Sequence, residues 1–256
     1  MTVRIEKRPG AERGNRTPEK IQSLSSGAIG TVTDAVKDAA GGAIRAVKPR
    51  LRGWIHAFTA PLALAACIVL TVLAPGPALT WACAAYLACS LFLFANSGVY
   101  HISYGHWPRR VTAVLQRVDH ANIYLLIAGT YTPLSVALLD RGMTLLVLGI
   151  VWGGALAGII TSLAWRSAPR WLTTLFYILL GWVAIWFLPQ FWMTGGPAIV
   201  WLLVSGGVVY TVGGVVYARR WPDPDPRWFG FHEIFHTCTV AAWACQCTAC
   251  YLAVLG

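Results

Sequence analysis

Two histidines near the C-terminus, His232 and His236, stand four residues apart in Arg227-Trp-Phe-Gly-Phe-His-Glu-Ile-Phe-His-Thr237. On an α-helix that spacing puts both imidazoles on one face, a turn apart, where two nitrogens can grip a single metal ion. Zinc is the usual occupant of such a pair. Glu233 lies between them, so the letters also spell H-E-x-x-H, in which zinc proteases use the glutamate as base. A protease of that type usually draws a third ligand from later in the chain, yet no Asp, Glu or His follows His236 up to Gly256. The third ligand must come from upstream, which makes a protease-type site the poorer reading. Glu233 then reads as a charge at the membrane interface, favoured by its place at the start of a helix.

An upstream candidate exists in Asn96-Ser97-Gly-Val-Tyr100-His101, the closing residues of an apolar run. Ser97 lies one turn before His101, so both look into the same space. His101 precedes Arg109 by eight residues and His236 follows Arg227 by nine, which places both about 12–14 Å inside their flanking arginines at the helical rise. Two distant segments thus arrive at one depth on one side. Asp119, in Arg117-Val-Asp119-His120, opens another apolar run. It could be solvated, could favour the helix dipole, or could hold a water on a metal. By the same count it is shallower than His101, so a water-mediated role fits better than direct ligation. His120 points about 100° away from Asp119 and reads as structural. His56, alone and one turn into the first run, reads as an interfacial hydrogen-bonding residue in preference to a ligand.

Zinc on His101, His232 and His236 would keep one coordination position open, as catalytic and not structural sites do. A water in that position loses its proton near neutral pH. Asp119 could accept or orient that proton, and Ser97 could hydrogen-bond the water or a polarised carbonyl. The chemistry is hydrolysis of an amide or ester on a lipid whose head reaches the inner leaflet. The bland alternative is a set of buried hydrogen-bonding histidines that stabilise a helix bundle.

The elements that must carry these residues are hydrophobic. The chain is 57% hydrophobic and 12% charged, which excludes an ordinary soluble domain. Seven apolar runs of spanning length follow one another at 54–74, 79–104, 113–139, 143–163, 171–189, 197–218 and 229–253. They are continuous and not alternating, which excludes a β-barrel. The expected fold is an all-α integral membrane bundle of seven transmembrane helices, one domain over 51–256, behind a basic tail over 1–50. Within that tail the apolar residues from Ile21 to Val47 recur at near-helical spacing, so it is either a weak amphipathic helix on the inner leaflet or a flexible solvated segment. No cleavable signal peptide is visible before the first apolar run.

Arg and Lys crowd the tail and the connections holding Arg109, Arg110, Arg117, Arg166, Arg170, Arg219, Arg220 and Arg227, whereas the alternate connections hold only Arg141. The positive-inside rule therefore predicts a cytoplasmic N-terminus and a C-terminus outside. The net charge of +10 has the same origin: it is topology and attraction to anionic lipid, not a nucleic-acid footprint. All seven cysteines fall inside the runs and read as small packing residues, Cys245-Gln-Cys247-Thr-Ala-Cys250 included. Gly149, Gly153, Gly154 and Gly158, and Gly206, Gly207, Gly213 and Gly214, read as small-residue packing faces, and the middle runs show no candidate chemistry. Most of the many tryptophans suit interface belts or lipid-facing surfaces.

Three segments, Ser97-Gly-Val-Tyr-His101, Asp119-His-Ala-Asn-Ile-Tyr-Leu-Leu-Ile-Ala-Gly-Thr-Tyr-Thr-Pro133 and Phe229-Gly-Phe-His-Glu-Ile-Phe-His236, closely resemble the hallmark segments of the hemolysin III family. That family stands with the progestin and adiponectin receptors (PAQR) and, more distantly, the alkaline ceramidases. The resemblance covers about 51–256. It implies a seven-helix bundle with a cytoplasmic N-terminus and an intramembrane zinc held by His101, His232 and His236, with Asp119 and Ser97 close by. It further implies a bacterial cell-membrane protein whose partners are membrane lipids. The leading expectation is a zinc-dependent, ceramidase-like hydrolase of a lipid amide or ester. A cytolytic or pore-forming protein is the second expectation and a ligand-sensing receptor with structural zinc the third.

Overall fold

Segments this apolar satisfy their backbone polar groups internally, and helices follow. The computed structural model describes residues 51–165 and 169–256. The tail 1–50, with the helical spacing read between Ile21 and Val47, and Arg166 lie outside the described residues. Among the described residues every regular element is helical: α1 (Trp54–Leu73), α2 (Gly76–Ile102), α3 (Arg109–Leu138), α4 (Arg141–Ala164), α5 (Arg170–Gly181), α6 (Leu188–Arg219) and α7 (Phe231–Leu255), with a 3₁₀ segment at Trp182–Phe187. Proline sets several starts, since it cannot donate and its φ suits entry to a helix. Pro75, Pro108 and Pro169 stand immediately before α2, α3 and α5. Asp140 caps α4 by accepting from the Gly142 and Met143 N–H groups at 2.9 and 3.0 Å, the usual remedy for the unpaired donors of a first turn.

Six helical stretches are long and apolar enough to cross a membrane. One of them, Arg170–Arg219, is 50 residues long and covers the two expected runs 171–189 and 197–218. A straight helix of that length would extend about 75 Å, more than twice the hydrocarbon thickness. It is not straight. Gly196 sits at φ 79° and ψ 175°, a conformation open to glycine and closed to most residues, and Pro197 follows it. Trp182 donates to Thr211 Oγ1 at 2.9 Å, and Gly214 lies against Thr174 and Ile178. The stretch therefore folds back on itself around Gly196. Counted as two crossings it restores the seven runs of the sequence, and counted as one it gives six.

The outer surface is apolar: Phe58, Leu62, Val72, Trp81, Trp186 and Met193 are all exposed. In lipid such residues face a solvent as apolar as themselves. The interior is filled by Leu70, Tyr86, Phe94, Tyr124, Val147 and Phe191. Five cysteines (Cys67, Cys83, Cys89, Cys247 and Cys250) are buried among the helices, in keeping with a packing role. The α6 glycines are contact points, since a Cβ at Gly206 or Gly213 would meet Gln246 or Cys238 of α7. The α4 glycines divide. Gly154 and Gly158 meet Leu180 and Tyr124, whereas Gly149 and Gly153 have no neighbour within 4 Å, so only half of that expected face packs. The periodicity of α4 could not separate its packed side from its lipid side, because both are apolar.

Candidate metal centre

The first two turns of α7 carry the histidine pair, and their geometry is fixed by the loop before them. The Phe231 N–H donates to Asp223 Oδ1 at 3.0 Å, and the Gly230 N–H donates to Glu233 Oε2 at 2.9 Å. These bonds satisfy donors that an uncapped helix start would leave empty. Glu233 also accepts from Arg52 Nε at 2.8 Å and is buried, with its side chain 1% exposed. The residue expected at the interface is thus an interior clamp between the entrance of α1 and the start of α7. Both carboxylate oxygens are engaged in structure, which further weakens a protease-type role.

Across the bundle the last turn of α2 presents His101. A Cβ on Gly53 would lie 2.8 Å from the His101 Cβ, and one on Gly98 would lie 3.1 Å from the Ala57 backbone. Gly53, at φ 89°, and Gly98 therefore let α1 and α2 approach closely at this end. Three imidazoles converge there: one donor nitrogen each from His101, His232 and His236 lies within 4.8 Å of the others. His101 Nε2 and His232 Nε2 are 3.3 Å apart. Tetrahedral zinc with nitrogen ligands at 2.0–2.1 Å holds its donors about 3.3 Å apart. The donor set therefore fits a divalent ion, and His101 and His236 are buried.

Asp119, in the third turn of α3, places Oδ2 3.5 Å from His101 Nε2. Its carboxylate also interacts with Ser97 as a hydrogen-bond acceptor. Asp119 is outside the converged donor set and beside it. His120 turns away, bonding the Gln116 carbonyl at 2.7 Å and the Tyr217 hydroxyl at 3.3 Å. That hydroxyl belongs to α6, and the Tyr217 ring stands edge-on to His232 with centroids 5.5 Å apart. The middle runs thus contribute a side chain to the site's wall, which sequence reasoning missed because a lone tyrosine in an apolar run carries no distinguishing pattern.

His56 differs most from expectation. It is buried, its ring lies flat on His236 at 3.9 Å with an interplanar angle of 3°, and the edge of Phe94 closes its other flank at 5.2 Å. Neither ring nitrogen makes a hydrogen bond. The interfacial hydrogen-bonding reading is wrong, because the close approach of α1 to α2 draws the residue inside the bundle. Below the cluster Phe94 packs on Trp243, whose indole donates to Ser90 Oγ at 3.1 Å.

Comparison with known proteins agrees with this architecture. The family model described as "Haemolysin-III related" matches residues 44–247. The chain is 32% identical over 142 residues to the Hemolysin-3 homolog of Bacillus subtilis (strain 168), covering 55% of this chain and 65% of that protein. It is 35% identical over 114 residues to Hemolysin-3 of Bacillus cereus, covering 44% of this chain and 51% of that protein. The matched regions thus span between half and two thirds of these relatives. A helical membrane architecture, a convergent histidine cluster and a family match over most of its length lead to one assignment: the chain belongs to the haemolysin-III related family of multi-pass membrane proteins.

Proposed function

We propose that the protein is a zinc-dependent hydrolase acting on an amide or ester of a membrane lipid, its site lying near the cytoplasmic face of the bacterial plasma membrane. The observation that carries this reading is the convergence of three histidine nitrogens within 4.8 Å beside a carboxylate 3.5 Å from one of them, inside a lipid-facing bundle. His101, His232 and His236 would hold the ion. Zinc, when bound, supplies Lewis-acid polarisation and eases loss of a proton from water. Asp119 stands where it can take up a proton during attack on the carbonyl and return one to the leaving group. The Ser97 hydroxyl keeps the Asp119 carboxylate oriented through their contact. The apolar walls exclude bulk water, which strengthens every polar interaction in the site.

The test is metal analysis of purified protein, wild type beside His236→Ala, with a screen for fatty-acid release from candidate lipids. About one zinc per chain is expected for a three-histidine site, with occupancy sharply reduced in the variant. Asp119→Asn should keep the metal and lower release about a hundredfold or more, the scale of general acid–base catalysis. Metal-free wild-type protein, or undiminished release by Asp119→Asn, would overturn the reading.

A second reading, a cytolytic membrane protein, draws support from the names Hemolysin-3 and Hemolysin-3 homolog borne by the relatives. Against a pore stands the interior beside the site, filled by Phe94, Trp243, Leu93 and Cys247. Dye release from lipid vesicles, unaffected by His236→Ala, would favour it.

A further inference from the structure

We propose that His56 is a fourth functional imidazole of the metal cage: a positioning residue whose ring nitrogens pair with an oxygen-bearing group held beside the ion. The inference rests on the metal reading above and goes beyond its three ligands. His56 is 3% exposed, and both its nitrogens are buried without a hydrogen bond. Buried polar atoms without partners are rare, and each one calls for an explanation. Packing alone does not supply it. The residue is sandwiched between the face of His236 and the edge of Phe94, a slot that a phenylalanine would fill with no polar atom to desolvate.

The slot is built with care. Glycine at 98 lets the α1 backbone at Ala57 come as close as it does, and that approach carries His56 onto the His236 ring. The main chain of His236 and the side chains of His101 and Asp119 are its electrostatic neighbours. It therefore borders the cluster that the three histidines and the carboxylate form, and it is left out of the converged donor trio. A group of this kind acts one layer behind the ligands. It holds an occupant's oxygen and keeps the His236 ring in its plane, and such outer partners tune metal affinity about 10–100-fold.

The test separates nitrogen from ring. Full-length protein in detergent, stripped with chelator, is titrated with cobalt(II), whose visible spectrum reports coordination where d¹⁰ zinc is silent. His56→Phe keeps a flat ring and removes both nitrogens, and His56→Gln restores a side-chain nitrogen without the ring. His56→Phe should remain folded, with an unfolding midpoint no lower than wild type, since an apolar isostere relieves an unsatisfied burial. It should nonetheless bind cobalt about 10–100-fold more weakly and with a shifted spectrum, and His56→Gln should recover part of the affinity. Wild-type affinity and spectrum in a folded His56→Phe would overturn the proposal while leaving the three-ligand site intact. Failure of wild type itself to bind cobalt would overturn both. If His56→Phe does not fold, the comparison passes to His56→Gln against His56→Ala: equal affinity in that pair overturns the proposal, and tighter binding by His56→Gln supports it.

Discussion

Glu233 separates two of the three converging histidines, yet its own partners are a cation and a backbone amide. Arg52 Nε and the Gly230 N–H share its two oxygens, and with its side chain 1% exposed it depends on both. Removing Arg52 would leave a charge buried without its counter-ion, which costs more than the pair itself contributes. Arg52→Ala should therefore destabilise the protein by about 3 kcal/mol, the low end of the range for buried pairs because the Arg52 side chain is 22% exposed. Glu233→Gln keeps an acceptor for Gly230, loses no buried charge pair half-broken when combined with Arg52→Ala, and should restore much of the stability in that double variant. Thermal unfolding in detergent reads both, and equal midpoints for wild type and Arg52→Ala would refute the clamp. The three converging histidines were legible because their evidence is local: an i, i+4 pair and a count of residues to the nearest arginine. Arg52, His56 and Tyr217 were not, because each acquires its partner only when a distant helix arrives. His56 in particular sits in a stretch whose spacing is the same whether the ring faces headgroups or the interior.

At the level of helices, contact is controlled by where a Cβ fits. In a bilayer there is little hydrophobic drive between helices, so close backbone approach through small residues carries much of the association. A methyl at Gly158 would collide with the Tyr124 ring, and Tyr124 is buried. Gly158→Ala should therefore part α4 from α3 and lower stability measurably. Gly153→Ala enters open space and should be neutral or stabilising by up to about 1 kcal/mol, the helix-propensity difference between the two residues. Measuring both in one detergent tests the assignment of α4's packed side, and the reverse order would overturn it. The helices themselves were readable from apolar length, and α2 and α3 begin at Gly76 and Arg109 where runs at 79 and 113 were expected, whereas α5 ends at Gly181 and α6 starts at Leu188 where 189 and 197 were expected. Which glycines touch was not readable, since a helix flanked by lipid on one side and protein on the other shows no polar stripe to orient it.

For the whole molecule, the stretch Arg170–Arg219 turns a question about helix count into one about sidedness. Six crossings would leave both ends of the domain on the same side of the membrane, and seven would leave them on opposite sides. The pairing of Trp182 with Thr211 and of Gly214 with Thr174 requires the two halves to run antiparallel, and 50 residues of helix are too many for one crossing of a ~30 Å hydrocarbon layer. The charge pattern makes the same demand: Arg219, Arg220 and Arg227 precede α7, while Arg141 stands alone among the connections expected outside. Lysine and arginine near helix ends favour the cytoplasmic side, and this rule predicts that α7 leaves the cytoplasm and ends outside. A reporter active only outside the cytoplasm, fused after Gly256, should therefore be active, and the same reporter fused within Pro222–Pro226 should be silent. A cytoplasmic reporter at the two positions should give the opposite pattern. If the reporter after Gly256 is silent and the one in the Pro222–Pro226 loop is active, the orientation falls, and with it the placement of the histidine cluster near the inner leaflet, though not the cluster's geometry.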